Sequence, residues 1–445
     1  MFKELNFDVI EKLEANRDKS AHRNLISNAL KHIGIEQVAF NKKAANELST
    51  TFSLELPFSK ITHQQKSGRC WLFAALNTVR QKFIVEHNLE DFEFSQSWLM
   101  FWDKLEKCNY YLEAIINLSD RDLDDRTLYN LMSDPIPDGG QWDMYVSLIE
   151  KYGIVPKSVF PESFNSSSTK SLNFALAVKL RQSTALLRRL IKSKMTEEQI
   201  YKKKTKCMND IYNMLVYSVG EPINTFDLEF TDKDKNYKIY KDLTPKSFYK
   251  DFLKCELSNY ISLINAPTED KAFNKTYTIE YLGNVVGGKE IKYLNLEIEK
   301  LVDYSRKQLE RGEAVWFGCD MGKHLDRQKG LMHSELFDYN EALATCLDLD
   351  KGKRLTYCHS KMTHAMVFIG ANIKNDEVEK WKVENSWGSE VGFEGIFVMN
   401  NQWFIDNVFQ VVIHKDLLSE EDRENFKKEA IVLPIWDPMG SLARI

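Results

Sequence analysis

The sequence predicts an α+β protein in which helices dominate the first part of the chain and strands the last part. Apolar residues recur at helical spacing from Trp71 to Phe83 and again in several later segments. From about residue 313 onward the pattern changes to short runs rich in valine, isoleucine, phenylalanine and tryptophan, which is typical of strands. The chain contains no internal repeat. Because helical and strand patterns are separated along the chain, they favour α+β over a doubly wound sheet.

The individual elements follow from local patterns. Residues 1 to about 60 predict a helix followed by an extended arm, and residues 70 to about 87 predict a second helix. FSQSWLMFWDKLEKCNYYLEAIIN and WDMYVSLIEKYG predict two more helices, the latter ended by glycine, with a loop at DPIPDGGQWDM. Charged segments between about 168 and 300 predict a mostly helical insertion. Strands are predicted in AVWFGCDM, THAMVFIGANI, KWKVENSW, GIFVMNNQWF and VFQVVIHKDL.

Composition limits the class of protein. The 445 residues are 43% hydrophobic and 28% charged, which is typical of a globular protein with a substantial core. A net charge of −5 gives no overall basic character that would suggest nucleic acid, and no apolar run reaches the length of a membrane span. Such a length allows about three domains or one elaborated domain.

The cysteines predict a location. There are seven, an odd number scattered over the chain, and the N-terminus resembles an amphipathic helix rather than a signal peptide. In a chain of this size that pattern indicates reduced thiols. We therefore expect a cytoplasmic protein.

Cys70 is the first candidate for chemistry. It follows the polar turn Lys66-Ser67-Gly68 and begins a helical pattern, so it is expected at a helix N-terminus. There the helix dipole favours an anion, lowers a thiol pKa and produces a nucleophile. A lone cysteine in an apolar helix is more often a packing residue, so a catalytic role also requires a base and a group that orients the base.

His364 and Asn385 are candidates for these two roles. His364 opens the predicted strand HAMVFIGANI, where a strand end can direct one side chain into a cleft. Asn385 lies between a strand and a Ser-Trp-Gly turn, and its side-chain oxygen could accept an imidazole N–H. Trp387 could cover that hydrogen bond. Taken singly, His364 is also consistent with a half-buried structural histidine and Asn385 with an ordinary turn former.

A glutamine supplies the fourth candidate. Gln64 lies six residues before Cys70, and its amide could stabilise a developing oxyanion together with the backbone N–H of Cys70. Gln65 is adjacent, and position alone does not decide between the two.

In the order Gln, Cys, His, Asn, the chain resembles the bleomycin hydrolase / aminopeptidase C family of papain-fold cysteine peptidases. The resemblance rests on QKSGRCWLFAALN, DGGQWDM, EKYGIVPKSVFPES, CDMGKH, MTHAMVFIG, EKWKVENSWG and WDPMG, and it extends from about residue 50 to 445. It implies that Cys70 is the nucleophile, His364 the base, Asn385 the orienting residue and Gln64 the oxyanion donor. Gln64 is preferred over Gln65 because the family glutamine lies six residues before the cysteine.

The resemblance also implies a division of the chain. Residues 1–60 would form an N-terminal helix and arm, 61–167 and 301–445 the helical and β parts of a papain-like core, and 168–300 a helical insertion. Cys70 and His364 are 294 residues apart, against about 130–150 in shorter papain-like enzymes, and the insertion accounts for most of the excess. In the family this region contributes to a homohexamer whose active sites face an interior channel.

The end of the chain is expected to set specificity. In the family the C-terminal carboxylate meets the substrate's free α-amino group, which makes the enzyme an aminopeptidase acting on peptides with a free N-terminus. The family pattern resembles WDPMGALA, whereas this chain has Ser441 in the alanine position and continues through Ala443 to Arg444 and Ile445. Either this tail is trimmed near Ala443, or it lies differently and admits longer peptides, as in an endopeptidase.

Two further alternatives remain at this stage. RRLIKSKMTEEQIYKKKTK could contact phosphates in a nucleic-acid-binding or scaffold assembly, but Glu197 and Glu198 within it favour a solvated helix face. Cys358, His359 and His364 could suggest a metal site, yet their spacing matches no common zinc motif. The expected enzyme uses no metal and no organic cofactor and does not bind a membrane.

Overall fold

The N-terminal arm consists of short helices on the outside of the protein. The computed structural model describes residues 2–440. Asn6, Ser20 and Asn41 cap the first, second and fourth of these helices with side-chain oxygens that accept backbone N–H groups. The helices are α1 (Phe7–Ala15), α2 (Ala21–Ile33), α3 (Ile35–Ala39) and α4 (Lys42–Glu47). The chain then continues through the short strand β1 (Leu54–Glu55).

A helical part follows, and it contains the predicted helices. Its members are α5 (Cys70–Glu86), α6 (Gln96–Asn117), α7 (Arg126–Ser133), α8 (Trp142–Tyr152), α9 (Phe164–Ser167), α10 (Lys170–Lys192) and α11 (Glu197–Ser218). Helix α5 is buried on nearly all sides, with Trp71 and Leu76 at most 1% exposed. Helix α8 ends before Gly153, whose φ of 66° requires the conformational freedom of glycine. These helices form one wall of the core.

The segment from 226 to 295 differs from the helical insertion expected between 168 and 300. It contains β2 (Phe226–Thr231), β3 (Tyr237–Leu243), the one-turn helix α12 (Pro245–Phe248), β4 (Tyr260–Ile264), β5 (Lys275–Ile279) and β6 (Tyr293–Asn295). Only α10 and α11 are the long helices predicted there. Strand β4 is buried along its whole length, and a short buried apolar run has no periodicity that separates strand from helix. The expectation of a mostly helical segment is therefore wrong for its second half.

The remaining strands complete a large mixed sheet. The elements are α13 (Ile298–Glu310), β7 (Val315–Cys319), β8 (Leu325–Asp326), β9 (Leu331–Met332), α14 (Tyr339–Leu343), α15 (Lys351–Thr356), β10 (His364–Lys374), β11 (Glu377–Glu384), β12 (Ile396–Asn400), α16 (Asn401–Asn407), β13 (Val408–His414), α17 (Glu420–Lys427) and β14 (Ile431–Leu433). The strand order is β14-β5-β6-β4-β13-β7-β10-β11-β12-β9-β8, and β2 and β3 form a separate hairpin. Pairing from β4 through β13, β7, β10 and β11 to β12 is antiparallel. The predicted α+β architecture is confirmed.

Strand β10 is the element that joins the helical part to the sheet. It packs against α5 and pairs with β7 from His364, opposite Cys319, to Phe368. Further along β10, Gly370 and Ala371 pair with β1 instead of β7. A Cβ atom at Gly370 would lie 2.6 Å from the backbone oxygen of Leu54, so only glycine permits this close approach. The arm thus attaches to the strand that begins with the predicted base.

Within residues 2–440, none of the helices α1–α17 combines the length and the apolar character that crossing a bilayer requires. In the same residues, no group of three histidine, cysteine, aspartate or glutamate side chains is arranged to hold a metal ion.

Candidate active site

Cys70 is the first residue of α5, as the sequence predicts. It is fully buried, and the backbone N–H groups of Trp71 and Ala365 are close enough to favour its thiolate form. Ala365 directly follows His364, so the nucleophile candidate lies against the beginning of β10. Burial raises the pKa of the Cys70 thiol to about 12, and these N–H groups offset only part of the effect. In the substrate-free chain, burial thus opposes the lowering of this pKa that is expected at a helix terminus.

His364 and Asn385 are brought together by the pairing of β10 with β11. The Nε2 atom of His364 lies 2.8 Å from Oδ1 of Asn385, and both residues are at most 5% exposed. Because an amide oxygen only accepts, Nε2 carries the proton in this bond and the lone pair of the neutral ring is on Nδ1. Burial lowers the pKa of His364 to about 4, although the hydrogen bond that the ring donates to Asn385 acts to raise this pKa. The substrate-free ring is neutral and held in one tautomer.

Trp387 lies over this pair. Its ring centroid is 4.8 Å from that of His364, with 35° between the ring planes. The Asn385 oxygen also accepts the backbone N–H of Ser386 at 2.8 Å, which fixes the amide orientation from a second side. The structure thus places Trp387 where the sequence analysis expected a cover.

Gln64 is buried and connected to the Asn385 segment, whereas Gln65 is exposed. The Oε1 atom of Gln64 accepts the Ser386 hydroxyl at 2.7 Å, and its backbone N–H donates to the Ser386 carbonyl at 2.8 Å. One N–H of its Nε2 donates to the Ser67 carbonyl at 2.6 Å. The amide group therefore has one further N–H to offer.

The turn before Cys70 is held by Asp138, which the sequence analysis passed over as part of a loop. Its carboxylate accepts the backbone N–H of Gly68 at 2.9 Å, Lys104 Nζ at 2.7 Å and Asn173 Nδ2 at 2.7 Å, and also the Thr169 hydroxyl at 2.5 Å. Burial alone would raise the pKa of Asp138, but the Lys104 charge and these bonds outweigh it and hold that pKa far below its usual range. A lysine inside a buried helical pattern was the available signal, because it requires an acid partner.

Arg69 explains the arginine directly before Cys70. It is 1% exposed and forms a bidentate pair with Glu162 at 2.9 and 3.0 Å, while its Nε donates to the Ser67 hydroxyl at 2.9 Å. Together with Asp138, this pair fixes the loop from both sides. The Ser67 hydroxyl, the Gly68 N–H and the Arg69 guanidinium thus all have hydrogen-bond partners within the protein.

The described chain ends at the edge of a cleft. Gly440 lines a cavity together with Gly139, Gly140 and a wall that includes Tyr110 and Tyr281. A Cβ atom at Gly140 would lie 2.6 Å from the ring of Trp71, so this wall is in contact with the residue after Cys70. The predicted specificity residues Ala443, Arg444 and Ile445 lie outside the described residues.

Comparison with known proteins identifies the family. The model of the Peptidase C1-like family matches residues 4–440. Aminopeptidase C of Listeria innocua serovar 6a is 44% identical over 443 residues, covering 100% of both chains. Aminopeptidase C of Lactobacillus delbrueckii subsp. lactis is 42% identical, covering 100% of this chain and 99% of the relative. The crystal structure of PepW from Lactobacillus rhamnosis has a TM-score of 0.97 at 42% identity, covering 98% of this chain and 99% of that chain.

The fold and these matches define a cysteine-type peptidase with a papain-like α+β architecture. The chain belongs to the Peptidase C1-like family. The predicted resemblance to the bleomycin hydrolase / aminopeptidase C family is confirmed over the whole described chain.

Proposed function

We propose that the protein is a cysteine aminopeptidase that removes N-terminal residues from peptides, with Cys70, His364 and Asn385 as its catalytic triad. The observation that carries the triad is the 2.8 Å bond between His364 and Asn385, formed by the residue directly before Ala365, whose backbone N–H favours the Cys70 thiolate. The specificity is supported by relatives named Aminopeptidase C, which are 42–44% identical over the full chain.

The reaction begins from a neutral thiol and a neutral imidazole. Because burial opposes either charge alone, ionisation occurs as one transfer: the Cys70 proton passes to Nδ1 of His364, and each new charge stabilises the other. The Oδ1 atom of Asn385 accepts the hydrogen bond from Nε2–H throughout and keeps the ring in place. The thiolate then attacks the peptide carbonyl carbon and forms a tetrahedral oxyanion.

Collapse of that intermediate breaks the peptide bond. The imidazolium gives its proton to the leaving amine, and the N-terminal residue remains on Cys70 as a thioester. His364 next takes a proton from water, the hydroxide attacks the thioester, and the amino acid leaves as the thiol re-forms. The proposed steps use groups of the protein and one water molecule.

Gln64 would stabilise the oxyanion together with the Cys70 backbone N–H. Replacing Gln64 with alanine is expected to lower kcat by roughly 10²–10³-fold with little change in KM, because the lost donor acts mainly in the transition state. Steady-state kinetics on one peptide tests this. The matched control is Gln65→Asn, since Gln65 is the exposed neighbour and its φ of 55° suits asparagine. Equal losses in both variants would contradict the assignment.

The amino-end specificity would come from the segment that follows Gly440 at the cleft. A peptide with a free N-terminus and the same peptide N-acetylated should be compared, using the full chain and a version that ends at Ala443. We expect cleavage of the free peptide only. Internal cleavage of the acetylated peptide by the full chain would instead establish an endopeptidase, and cleavage only by the shorter version would show that activity requires trimming of the tail.

The same proposal includes assembly and location. The seven cysteines form no disulfide, and a catalytic thiol requires reducing conditions, which supports a cytoplasmic enzyme. The homohexamer rests on the family resemblance. Size-exclusion chromatography with light scattering tests it, and a monomer at micromolar concentration would contradict it.

A further inference from the structure

One cation stands beside the proposed triad without a role in it. The guanidinium of Arg327 lies 4.2 Å from the centroid of the Trp387 ring, and the Trp387 ring in turn lies against the His364 ring at a tilt of 35°. The Arg327 side chain is exposed and forms a cation–π contact with the Trp387 ring. Within residues 2–440 it has no ion pair. Arg327 thus extends the row formed by the imidazole and the indole toward solvent.

The surroundings leave this charge available to a ligand. The neighbouring carboxylate of Asp326 is already paired with Lys329 at 3.2 Å. His63 is a further basic side chain near Arg327, and the Arg327 charge adds to burial in lowering the pKa of His63. An anion that arrives here would therefore meet a cation whose charge no neighbouring acid neutralises.

The reaction determines which part of a substrate reaches this place. The imidazole of His364 gives its proton to the leaving amine, so the leaving group lies on the imidazole side of Cys70. Trp387 lies against the His364 ring, and Arg327 lies against Trp387. We infer that the leaving part of a substrate comes near Arg327. When the substrate is a dipeptide, the leaving group is a single amino acid that carries a free carboxylate. A guanidinium fork is well suited to bind such a group.

We propose that Arg327 binds a carboxylate in the leaving part of the substrate, and so favours dipeptides and peptides with an acidic second residue. The carboxylate is either the C-terminal carboxylate of a dipeptide or the side chain of an acidic second residue. Amidation of the C-terminus removes the first and leaves the second. This inference rests on the proposed aminopeptidase function and adds a substrate class to it.

The test compares kcat/KM for alanyl-alanine, alanyl-alanine amide and the α-amide of alanyl-aspartate. For the unmodified enzyme we expect a preference of roughly tenfold for the free carboxylate over the amide, since one charge-assisted contact at an exposed site is worth about that factor. The preference should be expressed mainly in KM and decrease with added salt. If the α-amide of alanyl-aspartate is also preferred over alanyl-alanine amide, Arg327 recognises an acidic side chain as well. If it is not preferred, recognition is limited to the terminal carboxylate.

Substitution identifies the residue responsible. In Arg327→Gln the ratio between free acid and amide should fall toward one, and Arg327→Lys should give an intermediate ratio because it keeps the charge but loses the fork. The amide is the internal reference in each variant. A change in activity that acts through Trp387 alters kcat/KM for both compounds equally and therefore leaves their ratio unchanged. Lys254→Gln is the control and should keep the ratio, because it removes an exposed cation that pairs with Glu86 at the far end of α5 from Cys70.

Three results would overturn the inference. The first is a ratio near one in the unmodified enzyme, and the second is an unchanged ratio in Arg327→Gln; both leave the aminopeptidase function standing. The third is hydrolysis of none of the three compounds by either the full chain or the version that ends at Ala443, which would reject the proposed function and this inference with it.

Discussion

Replacement of Cys70 by serine or of His364 by glutamine is expected to reduce kcat for peptide hydrolysis by roughly 10⁴-fold or more. Serine cannot replace the thiolate, because its hydroxyl is far less acidic and depends even more on the base. Glutamine at position 364 keeps polarity and volume but can neither take the Cys70 proton nor deliver it to the leaving amine. Single-turnover kinetics with excess enzyme measures these losses directly.

The double variant provides the sharper test of one catalytic unit. If Cys70 and His364 act together, the combined replacement should cost about as much as either replacement alone. Losses that multiply would contradict a shared proton transfer. Cys108→Ser is a suitable control, because that thiol is also fully buried and its pKa is likewise raised to about 12 by burial, yet it is not part of the site.

Replacement of Asp138 by asparagine is expected to lower the free energy of unfolding by about 3–5 kcal/mol. The ammonium of Lys104 is only 1% exposed and lies 2.7 Å from the Asp138 carboxylate. Removing the carboxylate charge leaves a buried cation without its counter-ion. Equilibrium urea unfolding, followed by tryptophan fluorescence, gives the change.

Two controls separate this effect from general damage. Adding Lys104→Met to Asp138→Asn should restore part of the lost stability, because no uncompensated charge then remains. Glu86→Gln removes a partner of the exposed pair with Lys254 and should change the unfolding free energy by about 0–1 kcal/mol. A loss in Asp138→Asn no larger than in Glu86→Gln would contradict the account.

The pH dependence of the Asp138 effect has a defined sign. The folded-state pKa of Asp138 is depressed, so its contribution is complete above the unfolded carboxyl pKa of about 3.9 and is lost as the pH falls toward the folded value. The advantage of the unmodified protein over Asp138→Asn should therefore be constant near pH 7 and shrink below about pH 4. An advantage that grew on acidification would have the wrong sign.

Local sequence patterns predict the structure correctly where the question concerns a single helix or strand. The helix that begins at Cys70 and the strand that begins at His364 were both predicted at those residues, because helical and strand periodicity are visible in short windows. The run GIFVMNNQWF was predicted as one strand. It is instead a strand followed by α16, because the Asn400 side chain accepts the N–H of Trp403 and begins a helix.

Local patterns were insufficient where partners are distant in sequence. Strand β4 has no alternation because both of its faces are buried, so its sequence does not distinguish it from a buried helix. Asp138 accepts a hydrogen bond from Gly68, which is 70 residues away in sequence, and Arg327 contacts Trp387, which is likewise distant in sequence. The burial that raises the Cys70 pKa depends on the whole core and has no local signal.

The central claim, that Cys70 carries the substrate's N-terminal residue as a thioester, can be tested by trapping the intermediate. The unmodified enzyme would be mixed with an amino-acid ester that has a free α-amino group, quenched in acid during turnover, digested and analysed by mass spectrometry. The account predicts a mass increase of one aminoacyl group on the peptide that contains Cys70, absent in Cys70→Ser. The same adduct on a different cysteine, or hydrolysis that persists in Cys70→Ser, would contradict it.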